Sequence, residues 1–141
     1  MISPYDMISK SALPALRAMV SRRLRERYNL TQQEVADRLG VTQASVSNYS
    51  RKARGGMVNL EKDAMVAKAA DKIAEMLSAE GADRRNALMI MTDVCDYIRF
   101  NHLMCGLHTD LDPEFPTAGC EACNGEFSGK SFDRLKLIVG Q

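Results

Sequence analysis

The chain has 141 residues, of which 45% are hydrophobic and 26% charged, and its formal net charge is +1. This composition excludes a globally disordered chain, and no apolar stretch approaches the roughly 20 residues of a membrane span. The N-terminus lacks the apolar segment of a signal peptide, so we expect a cytoplasmic protein with no membrane partner.

Charge is unevenly distributed along the chain. Residues 1–60 carry ten Lys and Arg against four Asp and Glu, whereas residues 61–141 carry nine against fourteen. A basic half joined to an acidic half indicates that the first half faces a polyanion. Two ordinary solvated surfaces would give the same pattern, so charge alone does not decide between them.

An all-α fold is expected, because aromatic residues are few and β-branched runs are short. Apolar residues recur at helical spacing from about Asp6 to Tyr28 and predict a first helix. Pro14 falls inside this pattern. It should kink the helix, or split it into a lead-in and a main helix that starts near Leu13.

Two short helices are predicted next, joined by a tight turn. Thr31 and Glu34 have the spacing of a capping box, which predicts a helix that ends at Gly40. Thr42 can cap a second helix that continues to about Arg51. Together they predict a helix-turn-helix, a unit that places its second helix in the major groove of DNA.

Residue types within this unit support DNA binding. Ala36 is small where the two helices must touch, and the positions expected to face the core are apolar: Val35, Leu39, Val41, Val46 and Tyr49. The outward positions of the second helix are mostly polar and suit base edges, while amide and basic residues around them suit phosphates. The predicted DNA-binding residues are Gln32, Gln33, Thr42, Gln43, Ala44, Ser45, Ser47, Asn48, Arg51, Lys52 and Arg54. A helix-turn-helix used only for protein contact is the alternative.

The segment over about residues 13–55 resembles the lambda-repressor-like (XRE/Cro-type) regulators. The resemblance rests on Gln32, Ala36, Gly40, Val46 and Asn48. It implies that double-stranded DNA is the partner. The base-contact candidates that it implies are Gln43, Ser45, Ser47 and Asn48, with Gln32 on the DNA backbone.

Three more helices are predicted after the helix-turn-helix. Apolar stripes predict a helix from about Leu60 to Ala79 and another over about residues 132–139. Between them, Asp83 can cap a helix that reaches about His102, with Leu88, Met91, Cys95 and Ile98 on its inner stripe. The 60–79 helix is either a dimerisation element of a homodimer or an ordinary core helix. We therefore expect a DNA-binding domain at residues 1–57 and a helical dimerisation and cysteine-cluster region at residues 58–141.

Four cysteines, with the spacing C-x9-C-x14-C-x2-C, predict a metal centre near the C-terminus. The predicted ligands are Cys95, Cys105, Cys120 and Cys123, with His108 as an alternative ligand. Residues 104–125 carry Gly, Pro and Asp without a helical period, so we expect a loop that a bound metal would order. Four thiolates suit an iron–sulfur cluster, with 4Fe–4S preferred over 2Fe–2S, whereas the C-x2-H and C-x2-C pairs suit zinc.

The whole chain also resembles a group of archaeal regulators that join this DNA-reading unit to a C-terminal cysteine cluster. The resemblance rests on Cys95, on the Cys105–His108 pair and on residues 119–123. It implies a transcriptional regulator whose cluster senses redox state, oxygen or iron; a structural zinc site is the alternative. No motif of an enzyme is evident, so we expect no catalytic activity.

Overall fold

The computed structural model describes residues 1–50, 59–123 and 130–140, and within these ranges the chain is helical with no β-strand. The all-α prediction is confirmed. The elements are α1 (Pro4–Met7), a π-helical turn (Ile8–Ala12), α2 (Leu13–Tyr28), α3 (Gln32–Leu39), α4 (Gln43–Ser50), a 3₁₀ turn (Leu60–Lys62), α5 (Ala64–Ser78), α6 (Arg84–Phe100), α7 (Cys105–Leu111) and α8 (Lys130–Val139).

The first three elements form a continuous helical rod with one irregular turn. Proline has no amide hydrogen, so Pro14 cannot donate to the carbonyl four residues before it. The chain absorbs this loss in the π-helical turn, where the Leu13 amide donates to the carbonyl of Ile8, five residues earlier. The predicted division of the helix near Leu13 therefore follows from the missing donor.

Polar caps fix where the other helices begin. The Asp63 side chain accepts a hydrogen bond from the Val66 amide at the start of α5. Asp83 accepts one from the Arg85 amide at the start of α6. Each cap satisfies an amide that the helix leaves without a partner. The predicted 60–79 helix is shorter than expected, because Asp63 separates the 3₁₀ turn from α5.

A single hydrophobic core joins the helix-turn-helix to the later helices. Helix α5 is central, because it packs against α2, α6 and α8. Its inward face, with Ile73 and Leu77, is buried together with Leu16 of α2, Val46 of α4 and other apolar side chains. The core-helix interpretation of α5 is therefore the one that the packing supports. The predicted domain boundary at 57/58 lies outside the described residues and stays a prediction.

Two details of the later helices differ from the sequence analysis. Leu88 was expected on the inner stripe of α6, but 64% of its surface is exposed; Ala87, Ile90 and Val94 are buried instead. Helix α7 lies within residues 104–125, where a loop was predicted. Its residues pack against the core through Met104 and half-buried Leu107.

Ion pairs hold the helices in register. Arg23 of α2 is buried, and its guanidinium donates to both carboxylate oxygens of Glu61 at 2.7 and 2.9 Å and to Asp71 of α5. Arg134 of α8 donates to both oxygens of buried Asp93 of α6 at 2.7 and 2.8 Å. Paired, two-point contacts of this kind fix orientation as well as proximity.

Candidate nucleic-acid interface and thiol pocket

The turn of the helix-turn-helix has the geometry that its sequence predicts. The Thr31 hydroxyl accepts from the Glu34 amide at 3.1 Å, and the Glu34 carboxylate accepts from the Thr31 amide at 3.2 Å. Gly40 has φ = +67°, in the left-handed region. This conformation lets the Val41 amide donate to the carbonyl of Ala36 at 3.0 Å and ends α3.

The predicted inward residues anchor α3 and α4 to α2. Val35, Ala36 and Val46 are almost completely buried, and Tyr49 is 6% exposed. Leu39 and Val41 are half-buried and pack against the same core. Because these apolar residues all face inward, the opposite side of α4 is fixed toward solvent.

The outward side of α4 contains the predicted base-contact residues. Gln43 and Ala44 are exposed at its start, and Ser47 and Asn48 are half-exposed one turn later. Residues four positions apart share a face of a helix, so Gln43 and Ser47 project together, as do Ala44 and Asn48. The arrangement provides amide donors and acceptors, a hydroxyl and a methyl on one surface, the groups that base edges require.

Several predicted DNA contacts already have partners within the fold. Thr42 caps α4 by accepting from the Ser45 amide at 3.1 Å, and the two hydroxyls lie 2.9 Å apart. The Gln33 amide donates to Asp37 at 2.9 Å. Thr42 and Ser45 thus sit at the positive end of α4, which favours a phosphate. The predicted contacts Arg51, Lys52 and Arg54 lie outside the described residues, and Gln32 is half-buried on α3.

Arg38 attaches the DNA-reading unit to the rest of the protein. Its guanidinium, on α3, donates to the carbonyl of Leu77 at 2.8 Å and to the carbonyl of Ala79. These carbonyls end α5 and lack helical partners, so the contact caps the helix. No local sequence signal marks this role of Arg38, because the carbonyls that it caps lie about 40 residues further along the chain.

A second candidate site is a small pocket at the other end of the protein, which we call the thiol pocket. It is formed by α1, the end of α6 and α7, together with the chain near residue 123. Its lining residues are Pro4, Met7, Arg99, His102, Met104, Cys105, His108 and Cys123. Two of the four predicted cysteine ligands therefore lie here, together with both histidines of the chain.

Two side chains that line this pocket each have a buried nitrogen with no hydrogen-bond partner among the described residues. These nitrogens are Nε of Arg99 and Nε2 of His108. His108 is 9% exposed, and its ring stacks on Phe115 with centroids 4.9 Å apart. A buried polar atom without a partner costs about 1–3 kcal/mol, so an atom in this state calls for an explanation.

The thiols of the pocket influence one another. Burial raises the pKa of Cys105, and the neighbouring thiols Cys123 and Cys120 raise it further. The Ala122 amide lies 3.5 Å from the sulfur of Cys120, so the C-x2-C segment folds its backbone around that sulfur. Cys120 and Cys105 are thus neighbours in space although 14 residues separate them in sequence.

Arg99 connects the C-x2-C segment to the first helix. Its guanidinium donates to the carbonyl of Ala122 at 2.9 Å and lies 5.0 Å from the ring centroid of Tyr5 in α1. The N-terminus is tied to the same region, because the amide of Ile2 donates to Asp112 at the end of α7. Neither contact could be predicted from spacing, since each joins residues far apart in sequence.

Cys95 lies in a different environment from the other three cysteines. It is half-buried on α6. It precedes Arg99 by four residues, which is about 6 Å along the helix axis. Burial, followed by the charge of Asp96, raises the pKa of Cys95 to about 11, and Arg17 opposes this shift. Its electrostatic neighbours are thus carboxylate and guanidinium groups of α6 and α2.

The donor types in the thiol pocket fit a thiophilic metal. Thiolate and imidazole are the ligands that zinc prefers, and thiolates hold iron–sulfur clusters. Within the described ranges, which include every Cys and His, no group of three Cys, His, Asp or Glu side chains is close enough to hold a metal ion. Binding would therefore require the side chains around the pocket to close on the metal, as expected where metal binding and folding are coupled.

Comparison with known proteins supports the helix-turn-helix. A helix-turn-helix family model matches residues 22–54, which span the end of α2, α3 and α4. The match confirms the predicted helix-turn-helix, and it supports a lambda-repressor-like DNA-binding unit of a transcriptional regulator. Comparisons with curated proteins and with solved structures gave no match. Among the described helices, none combines the length and apolar character needed to cross a bilayer.

Proposed function

We propose that this protein regulates transcription by placing α4 in the major groove of double-stranded DNA. The observation that carries the proposal is the division of α4 into two sides. Val46 and Tyr49 are buried against the core, while Gln43 and Ala44 are exposed on the opposite side. A helix-turn-helix that served only protein contact would gain more from apolar side chains on that outward surface.

Position on the DNA would be set by groups at the start of α4. The positive end of this helix, capped by Thr42, can lie against a phosphate. Gln32, at the start of α3, is the other predicted contact to the DNA backbone. The basic flank at residues 51–54 would add phosphate contacts. Base identity would be read by Gln43, Ser47 and Asn48, and a bidentate amide–adenine pair contributes about 1–3 kcal/mol of discrimination.

A homodimer is part of the proposal, because one reading helix covers only a few base pairs. Two reading helices would contact half-sites roughly 34 Å apart, one turn of DNA. The inward side of α5 is buried in the protomer's own core, so the dimer must use another surface. Leu88 and Met89 of α6 are exposed apolar residues that such a surface could include.

The DNA-binding proposal is tested by selecting a preferred duplex from random DNA and measuring affinity for it by fluorescence anisotropy. Gln43→Ala should weaken binding to the selected duplex by about 5- to 150-fold, the equivalent of 1–3 kcal/mol. Asn86→Ala provides the matched control. It removes an exposed amide at the start of α6, outside α3 and α4, so affinity should be unchanged. A selection that enriches no sequence, with equal affinity for all duplexes, would contradict sequence-specific regulation.

We further propose that the thiol pocket holds a metal centre that modulates DNA binding, an iron–sulfur cluster of the 4Fe–4S type in the first instance. Such a cluster would let the protein respond to redox state, oxygen or iron supply. Structural zinc, with the signal supplied by a partner or small molecule, is the second candidate. It is favoured by the buried imidazole of His108, since zinc commonly takes Cys and His together.

The fold provides a route between the two sites. Pro4 and Met7 of α1 line the thiol pocket, and the rod that begins with them continues through α2. Helix α2 then packs against α3 and α4. Closure of the pocket on a metal would press on the start of this rod, and α2 would carry the displacement to the reading helix.

The sensing proposal is tested by measuring DNA affinity of anaerobically purified protein with its metal centre intact, oxidised and removed by chelation. Iron and acid-labile sulfide content identifies a cluster, and stoichiometric zinc without sulfide identifies the alternative. We expect the affinity to differ between at least two of the three states. Equal affinities in all three would reject the sensing role and leave DNA binding unaffected.

A further inference from the structure

We propose that the metal centre is held by Cys105, Cys120, Cys123 and His108, and that Cys95 stands outside it. This inference rests on the proposed metal centre but is independent of DNA binding. It replaces one of the four thiolates expected from the spacing of the cysteines with an imidazole. The assignment follows from where the structure places the four cysteines and the two histidines.

His108 is assigned as the nitrogen ligand because its ring is buried and its Nε2 has no partner among the described residues, whereas His102 is exposed. The ring is buried, held flat against Phe115, and lines the same pocket as Cys105 and Cys123. Cys105 and His108 are three residues apart on α7, so they share one face of the helix. A metal ion would give the buried nitrogen the partner that the fold does not provide.

The C-x2-C segment supplies two thiolates. The Ala122 amide points at the sulfur of Cys120, a contact that stabilises a metal-bound thiolate. The Ala122 carbonyl is held by Arg99, whose positive charge also lines the pocket. Three thiolates and a divalent ion carry a net negative charge, which this guanidinium would partly balance.

Cys95 is excluded by the rigidity of α6. Its neighbours Val94 and Ile98 are fully buried, so the helix cannot rotate Cys95 toward the pocket without breaking core contacts. Arg99, one turn further along α6, lines the pocket, whereas Cys95 is not among its lining residues.

The first test maps ligands on the wild-type chain, so that no variant has to fold. Metal-free protein is prepared anaerobically, and its cysteines are alkylated with and without added Zn²⁺, with the sites identified by mass spectrometry. We expect Zn²⁺ to slow alkylation of Cys105, Cys120 and Cys123 by at least about 10-fold and to leave the rate at Cys95 unchanged. Protection of Cys95 to the same degree would overturn the assignment.

The second test identifies the nitrogen ligand. His108→Phe keeps a ring to stack on Phe115 but removes both nitrogens. His102 also lines the pocket, and its Nδ1 lies 3.5 Å from the sulfur of Cys105, so His102→Asn tests whether this ring is the nitrogen ligand instead. Asn suits this position because residue 102 has φ = +57°, a left-handed conformation that Asn adopts readily. Affinity is measured by Co²⁺ titration, in which the charge-transfer bands report the number of thiolate ligands, and by iron and sulfide reconstitution.

The expected result is a loss of more than about 10-fold in Co²⁺ affinity for His108→Phe, with wild-type affinity for His102→Asn and for Cys95→Ala. Wild-type Co²⁺ binding by His108→Phe, or loss of binding in His102→Asn or Cys95→Ala, would overturn the donor set but not the metal centre. A wild-type protein that bound neither Co²⁺, Zn²⁺ nor an iron–sulfur cluster would overturn the metal centre itself. Reconstitution with iron and sulfide distinguishes a cluster from zinc on the same four residues.

Discussion

The contact between Asp93 and Arg134 offers a sharp test of the packing, because it buries a carboxylate. The side chain of Asp93 is 2% exposed, and both of its oxygens accept hydrogen bonds from the guanidinium of Arg134. Arg134→Met would keep much of the aliphatic stem while leaving this carboxylate without its two donors. Removing one partner of a buried pair costs about 3–5 kcal/mol.

The expected loss lies at the lower end of that range, because a third of the Arg134 side chain is exposed. We expect Arg134→Met to reduce the free energy of unfolding by about 3 kcal/mol, and the melting temperature by roughly 9 °C for a chain of this length. Since domains are stable by only about 5–15 kcal/mol, such a loss is easily measured.

Urea unfolding followed by circular dichroism at 222 nm, applied to a double-mutant cycle, provides the assay. Asp93→Asn removes the charge but keeps an acceptor. The double variant, Asp93→Asn with Arg134→Met, should therefore lose less free energy of unfolding than the two single variants together. A coupling free energy of about 1–3 kcal/mol is expected. If Arg134→Met lowered stability by less than about 0.5 kcal/mol, or the two changes were additive, the argument from burial would be refuted.

Four other changes test the helix-turn-helix and the ion pairs beside it. Ala36→Leu should reduce the free energy of unfolding by about 1–3 kcal/mol, because the residue is 1% exposed where α3 and α4 meet. Ala44 is exposed on the outward side of α4, so Ala44→Leu should leave the melting temperature unchanged. The larger side chain should abolish specific DNA binding in anisotropy titrations. Gly40→Ala should lower the free energy of unfolding, measured in urea, by about 1 kcal/mol. The loss would come from backbone strain alone, since no atom of the described residues lies within 4 Å of the added Cβ. The guanidinium of Arg23 lowers the pKa of Glu61 in the folded protein, against the opposing effect of burial. The ion pair therefore stabilises the fold above the unfolded-state pKa of Glu61, and this stabilisation is lost as the pH falls through the folded-state pKa. Below about pH 5, the melting temperature of Glu61→Gln should therefore fall less steeply with pH than that of the wild type.

Helix ends and the turn of the DNA-reading unit could be predicted because their signals are local. Thr31 and Glu34 lie three residues apart, and both halves of the capping box are formed by that spacing alone. Gly40 likewise marks a left-handed position through its own lack of a Cβ. Such features depend on a few neighbouring residues, so tertiary packing does not override them.

Features that depend on tertiary contacts were missed or misplaced. Leu88 was placed on the inner side of α6 because apolar residues occur on both sides of that helix, and periodicity cannot choose between them. The signal for α7 was present but short: Met104, Leu107 and Leu111 recur at helical spacing within a stretch dominated by Gly, Pro and Asp. The position of Cys95 relative to the other cysteines depends on how α6 packs, which spacing does not encode.

Part of the uneven charge distribution along the chain is neutralised within the fold, so DNA would encounter fewer free basic residues than the sequence suggests. Arg23 and Arg27 of α2 pair with Glu61 and Asp71, so part of the positive surplus of the first half is neutralised by the acidic second half within the fold. These guanidinium groups are therefore committed to the packing of α2 on α5. Phosphates would meet mainly the start of α4 and the basic flank at residues 51–54. Since each phosphate contact contributes about 0.9 to the slope of log affinity against log salt, the slope should reflect those few contacts and be much smaller than the count of basic residues implies.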